Sequence, residues 1–128
     1  MGKMQRDKGA GGEREFAALV HDNLGVECSR RLNQSRDSGH DLDVLDYAIE
    51  VKRAKEKRFS MWWKQACESA ELEGKIPVLA YRLDYQSWVV AISFKDLVDG
   101  FGDSQREVLD QVVEMPALGF FAYVRNRY

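Results

Sequence analysis

The sequence has few cysteines and no long apolar run, and these absences exclude several classes of protein. Its 128 residues include two cysteines, Cys28 and Cys67, whose spacing fits neither a metal site nor a disulfide framework. No apolar run approaches the roughly 18 residues that a membrane span requires. The polar N-terminus also lacks the apolar stretch of a secretory signal. We therefore expect ordinary thiols, no membrane association and a reducing, cytoplasmic location.

An excess of basic charge is also missing, which at first argues against a nucleic-acid partner. The formal net charge is -2, from 19 basic and 21 acidic residues. The charges are unevenly placed, however, because residues 52–58 hold five basic side chains and one acid. Such a strip can bind a phosphate backbone whatever the total charge, although a solvated surface segment would look the same.

The order of apolar patterns predicts a mixed α/β fold in a single domain over residues 1–128. Residues 1–11 are expected to form a flexible arm, and residues 104–128 a C-terminal extension of unclear role. Periodicity predicts helices at residues 12–24, 60–72, 93–98 and near 105–113, and strands at residues 26–30, 41–45, 48–53, 77–83, 87–92 and, weakly, 120–123.

In the strand predicted at residues 48–53, which could form a hairpin with the strand at residues 41–45, charged and apolar side chains alternate. Residues two apart in a strand share a face, so Glu50 and Lys52 point one way while Ile49 and Val51 point into the core. Carboxylate oxygens are the ligands that Mg²⁺ prefers. A nearby cation can stabilise the charge that develops when a phosphodiester is cut. The pattern therefore suits metal-dependent hydrolysis, and it suits equally an edge hairpin with a solvated charged face.

The position of the hairpin turn decides which acids face these residues. A two-residue turn at Asp46 and Tyr47 would place Asp43 opposite Glu50, and Asp41 opposite Lys52. Like charges placed face to face destabilise a sheet unless something compensates, and a bound cation would do so. The hairpin therefore offers a candidate cation site.

Glu13 is a further candidate from the first predicted helix. It lies within the arc of the apolar stripe formed by Phe16, Leu19, Val20 and Leu24. An inward carboxylate is unusual without a partner. Glu13 either favours the positive end of the helix dipole or reaches the metal site as a further ligand.

Three motifs together resemble the archaeal and phage Holliday-junction resolvases of the PD-(D/E)XK nuclease superfamily. They read KGAGGER at residues 8–14, HDLD at 40–43 and IEVK at 49–52. The loop NQSRDSGHDL and the stretches WWKQA, PVLAYR and WVV resemble the phage-type members. The resemblance extends from about residue 8 to residue 92. One departure is His40, which stands where a proline usually precedes the motif aspartate, so both Asp41 and Asp43 stay open as the ligand.

This resemblance implies a restriction-endonuclease-like core, with a mixed central sheet flanked by helices. It implies a metal-dependent DNA endonuclease in which Glu13, Asp41 and Glu50 bind Mg²⁺, or Mn²⁺ in its place, and Lys52 lies beside the scissile phosphate. The implied substrate is a four-way DNA junction, and the implied assembly is a homodimer in the cytoplasm of a bacterial, archaeal or phage-infected cell. A restriction- or repair-type nuclease and a non-catalytic DNA-binding protein of the same fold are the alternatives.

Other side chains are weaker candidates, each of which could equally be an ordinary surface, turn or core residue. Possible supporting residues are Asp43, Gln65 and Ser38. Trp62, Trp63 and Trp88 could stack on bases or pack in the core, and Phe120 and Phe121 could form an interface or cover a sheet edge. The candidate DNA contacts are Lys8, Arg14, Arg30, Arg31, Arg36, Arg53 and Lys55.

Overall fold

The structure is a computed structural model that describes residues 3–30, 41–98 and 111–128. For residues 3–10 and 29–30 the description covers the backbone. Within these ranges the helices are α1 (Lys3–Leu24), α2 (Phe59–Leu72) and α3 (Ala117–Arg127). The strands are β1 (Ser29–Arg30), β2 (Leu42–Val44), β3 (Tyr47–Ala54), β4 (Ile76–Leu83), β5 (Val89–Ser93) and β6 (Val112–Pro116).

Helix α1 is longer than predicted. It begins at Lys3 rather than near residue 12, so the backbone of residues 3–11, which we expected to form a flexible arm, is helical. Once a helix is nucleated, each further residue adds a hydrogen bond, and Lys, Met, Gln and Arg are good helix formers. The predicted end is confirmed: Gly25 adopts φ 68° and donates its N–H to the carbonyl of His21.

The strands form one mixed sheet in the order β1-β2-β3-β4-β5-β6. β3 and β4 run parallel, and the other neighbouring pairs run antiparallel. Helix α2 connects the parallel pair and packs on both of its strands. The predicted α/β fold class, with a mixed sheet between helices, is therefore confirmed.

The sheet separates two apolar layers. On one face, α1 and α3 cover side chains that include Ile49 and Val51, as alternation predicted. On the other face, α2 packs Trp62 and Ala66 against Leu79 of β4. Glu50 and Lys52 belong to this second face, because they alternate with Ile49 and Val51 along β3.

The hairpin register differs from the prediction by two residues. Leu42 pairs with Ile49 and Val44 with Tyr47, so the turn lies at Leu45 and Asp46 instead of Asp46 and Tyr47. Tyr47 is fully buried and makes an edge-on ring contact with Phe120 of α3. This tertiary contact, which adjacent residues do not encode, holds Tyr47 within the strand. A shift of two residues leaves every side chain on its predicted face.

The end of the chain corrects several predictions. Residues 120–123 were predicted as a strand but belong to α3, and Phe120 and Phe121 are core residues instead of an interface. Of the helix predicted near 105–113, Val112 and Val113 lie in β6, and residues 105–110 lie outside the described residues. The helix expected at 93–98 is a single 3-10 turn, Phe94–Asp96. None of the described helices is long and apolar enough to cross a membrane.

Candidate active site

Asp41 occupies the point where β2 separates from β3. Its backbone N–H donates to the carbonyl of Ile49 at 3.0 Å, while its carboxylate Oδ2 accepts the N–H of Val51 at 2.7 Å. In a continuing antiparallel ladder, a backbone carbonyl would accept the Val51 N–H. The Asp41 carboxylate replaces that carbonyl, and it is thereby fixed against the edge of β3.

Glu50 and Lys52 flank this carboxylate along β3. Glu50 is 2% exposed, and its Oε1 lies 3.3 Å from Nζ of Lys52. The Lys52 side chain is 26% exposed. The Asp41 carboxylate, held on the N–H of Val51, lies close enough to Glu50 for the charge of Glu50 to act on it. The structure therefore brings two carboxylates and an ammonium together at one point of the sheet.

This arrangement makes ionisation of Asp41 costly. Burial, followed by the charge of Glu50 and with a smaller effect of Glu13, raises the pKa of Asp41 to about 8; the Val51 N–H and Lys52 act in the opposite direction. A buried glutamate next to a partly buried aspartate suits a divalent cation, which would favour the ionised form of both acids. The donor set, carboxylate oxygens beside a lysine, thus fits Mg²⁺ or Mn²⁺.

Glu13 reaches this neighbourhood from α1. It is half-buried, and its charge acts on Asp41. Gly12 allows close packing of α1 on this strand: a Cβ added there would lie 3.1 Å from Cγ of Arg53, so a larger residue would require the Arg53 side chain to move. Within the described ranges, no three acidic, histidine or cysteine side chains form a ready ligand cluster. Glu13 therefore lies near the acidic pair without completing a three-residue set.

Asp43, the competing candidate, has a different environment. It pairs in register with Ala48 and not with Glu50. Its Oδ1 accepts a hydrogen bond from Nζ of Lys75 at 3.0 Å. A lysine at this distance compensates the Asp43 charge, whereas Asp41 faces Glu50. The geometry therefore favours Asp41 as the metal-facing aspartate.

The remaining candidates are spread more widely. Gln65 is exposed on α2, and Arg14 and Lys55 are exposed. Trp62 and Trp88 are buried, and Trp63 is half-buried and stacked on Phe59 with ring centroids 6.3 Å apart. The predictions for Arg31, Arg36 and Ser38, and for the side chains of Lys8 and Arg30, fall outside the described residues.

Arg53 is held by a network that the sequence did not reveal. Glu15 of α1 lies 3.7 Å from Arg53, ion-pairs with Arg82 and accepts the indole N–H of Trp88 at 2.8 Å. Arg53 was proposed as a DNA contact, but here it joins α1 to the sheet. A helical wheel places Glu15 outside the apolar stripe, and its partners Arg53, Arg82 and Trp88 are 38, 67 and 73 residues away. Only the fold brings them together.

A comparison with protein families identifies the group to which this site belongs. The family model described as "Phage putative PDDEXK endonuclease" matches residues 4–118. The chain belongs to this family. A search of curated proteins found no match. The predicted PD-(D/E)XK superfamily and phage type are thereby confirmed. Membership of this phage PD-(D/E)XK endonuclease family makes the chain a nuclease with DNA as its substrate.

Proposed function

We propose that this chain hydrolyses DNA phosphodiester bonds with a divalent metal held by Asp41 and Glu50, and that Glu13 serves as a further ligand or orients its water. The observation that carries the proposal is the placement of the Asp41 carboxylate on the Val51 N–H, close to the buried Glu50. Lys52 compensates one negative charge of this pair, so a second cation is needed before Glu50 and the partly buried Asp41 can both ionise without destabilising the fold. Such a pair is therefore better explained by metal binding than by structure.

The chemistry of the site follows from its residues. When bound, Mg²⁺ or Mn²⁺ supplies the positive charge that activates water and neutralises the developing phosphorane oxygens. Asp41 and Glu50 would hold the ion through carboxylate oxygens. Lys52, 3.3 Å from Glu50 and partly open to solvent, would donate a hydrogen bond to the attacking water or to a phosphate oxygen.

We further propose a four-way DNA junction as the substrate and a homodimer as the working assembly. The support is the resemblance of residues 8–14, 40–43 and 49–52 to the Holliday-junction resolvases. Symmetric cutting of a junction needs two active sites, which a dimer with twofold symmetry provides. A restriction- or repair-type nuclease is the second candidate, because the phage family match specifies an endonuclease and no junction.

Cleavage of labelled four-way junctions in Mg²⁺ tests the site. We expect Asp41→Asn, Glu50→Gln and Lys52→Ala to lose at least about 100-fold in rate, as a lost electrostatic contact in a transition state typically does. Three matched controls make the same chemical changes elsewhere: Asp43→Asn on β2, and Glu68→Gln and Lys64→Ala on the exposed face of α2. Wild-type rates in all three site variants would refute the assignment.

The same assay separates the two nuclease candidates. A linear duplex containing the sequence of each junction arm serves as the matched substrate. A resolvase cuts the junction in preference to the duplex, and it places paired symmetric nicks near the branch point. Equal cutting of both substrates would favour the restriction- or repair-type alternative and would leave the metal site intact.

A further inference from the structure

The turn between β4 and β5 presents a tyrosine that the fold does not use. Tyr85 adopts φ 64°, and its side chain is fully exposed at 102% of the reference area. A left-handed backbone is costly for a bulky residue, and Gly, Asn or Asp ordinarily fills such a position. Burial of the ring cannot offset this strain, because the ring lies in solvent. A strained residue of this kind is a reason to look for a function outside the fold.

The position of the turn connects Tyr85 to the basic segment after β3. β3 and β4 are parallel and end together, with Ala54 paired to Leu83. The N–H of Asp84 donates to the carbonyl of Ala54 at 3.1 Å, so the turn and the segment are fixed at the same edge. That segment, residues 55–58, is exposed throughout and reads Lys-Glu-Lys-Arg. The same edge of the sheet therefore carries an exposed aromatic ring and two exposed cations, Lys55 and Arg58, while Lys57 is paired with Glu114.

This edge adjoins the candidate active site. Lys52 is the register partner of Tyr81, and Tyr85 follows four residues later. β4 runs two residues beyond Tyr81 at about 3.3 Å each, so the turn that carries Tyr85 begins on the order of 7 Å beyond Lys52 along the strands. A stacked DNA strand covers that distance in about two steps of 3.4 Å. A strand cut beside Lys52 can therefore extend to Tyr85.

We propose that Tyr85 stacks on a DNA base that is exposed where the duplex is interrupted, while Lys55 and Arg58 bind the adjacent phosphates. Aromatic stacking of bases needs a ring that reaches into solvent and cations that follow the backbone, and this edge has both. A continuous duplex hides its base faces, so the contact selects branched, nicked or unpaired DNA. This proposal rests on the proposed nuclease function and specifies which DNA the enzyme prefers.

Two substitutions of Tyr85 distinguish a loss of base stacking from a change in protein stability. Tyr85→Asn removes the ring and places a residue that tolerates φ near 64°; Tyr85→Phe keeps the ring. Fluorescence anisotropy in EDTA with a labelled four-way junction measures binding without cleavage, and thermal melting measures stability. We expect Tyr85→Asn to bind the junction about 5- to 150-fold more weakly, the range for loss of one stacked base. Its melting temperature should equal or exceed that of wild type, and Tyr85→Phe should bind as wild type does.

Salt dependence and substrate choice complete the test. Lys55→Ala and Arg58→Ala should each reduce the slope of log affinity against log salt by about one, while Tyr85→Asn leaves that slope unchanged. Affinity for a linear duplex should be nearly the same for wild type and Tyr85→Asn.

The outcomes distinguish this proposal from the nuclease assignment. Unchanged junction affinity in Tyr85→Asn, equal loss in Tyr85→Phe, or an equal loss on linear duplex would each overturn stacking, even if wild type cuts DNA normally. A wild-type protein that neither binds nor cuts any of the DNAs would overturn the nuclease function itself.

Discussion

Replacing Asp41 by asparagine is expected to abolish cleavage and yet make the metal-free protein more stable. Asn keeps an oxygen that can accept the Val51 N–H, so the local hydrogen bond survives. It removes a negative charge that burial and Glu50 oppose. Opposite effects on activity and stability are the signature of a residue placed for function at the expense of the fold.

The magnitude follows from the pKa of Asp41, which burial and Glu50 raise from 3.8 to about 8. At pH 7 Asp41 is protonated in the folded state and ionised in the unfolded chain. The two states differ in this way over about three pH units below pH 7, and each unit is equivalent to about 1.4 kcal/mol. The cost of placing Asp41 in the fold is therefore at most about 4 kcal/mol. Burial of an amide in place of a neutral acid offsets part of this gain. We expect Asp41→Asn to raise the free energy of unfolding by about 2 kcal/mol.

The stability difference between wild type and Asp41→Asn should depend on pH in a definite direction. Between pH 3.8 and about 8 the folded state binds more protons than the unfolded state, so the Asp41 contribution to stability falls as pH rises. The advantage of Asp41→Asn should therefore be absent near pH 4, grow with pH and level off above about pH 8. Urea unfolding in EDTA at several pH values measures it.

A matched control and a metal titration sharpen this prediction. Asp43→Asn breaks the ion pair with Lys75 and should lower stability by up to about 1 kcal/mol without preventing cleavage. Saturating Mg²⁺ should stabilise wild type by about 3 kcal/mol at 100 times its dissociation constant and should not stabilise Asp41→Asn. If Asp41→Asn is less stable than wild type in EDTA at pH 8, the account of a strained acidic pair is refuted.

Two further predictions concern the scaffold. Phe121→Ala removes a fully buried ring 5.8 Å from that of Phe16, and urea unfolding should show a loss of about 3–5 kcal/mol; a loss below about 1 kcal/mol would contradict its core position. Glu15→Gln weakens the contacts of this residue with Arg82 and Trp88 and should lower the free energy of unfolding by about 1 kcal/mol. Glu68→Gln, on the exposed face of α2, is the control and should leave the free energy of unfolding almost unchanged. Equal effects of the two substitutions would show that the Glu15 network contributes no stability.

The sequence predicted most accurately what depends on neighbouring residues. Alternation along residues 49–52 placed Ile49 and Val51 in the core and Glu50 and Lys52 on the other face, as observed. Gly25 marked the end of α1 because its backbone conformation is a local property. These features need no knowledge of distant partners.

Predictions that depended on distant contacts were less accurate. The hairpin turn was misplaced because Tyr47 is buried against Phe120, more than seventy positions away, and this contact outweighs local turn preference. Phe120 and Phe121 were read as a strand because a short apolar run fits either structure, and packing on α1 decides for the helix. The network of Glu15 had no local signal at all.

The most direct test of the account is a crystal of the protein soaked in Mn²⁺ and examined by anomalous scattering. We predict a peak between the carboxylates of Asp41 and Glu50, with Glu13 bound directly or through water, and no peak at that position in Glu50→Gln. Manganese bound instead beside Asp43, or no manganese at Asp41 and Glu50 at saturating concentration, would contradict it.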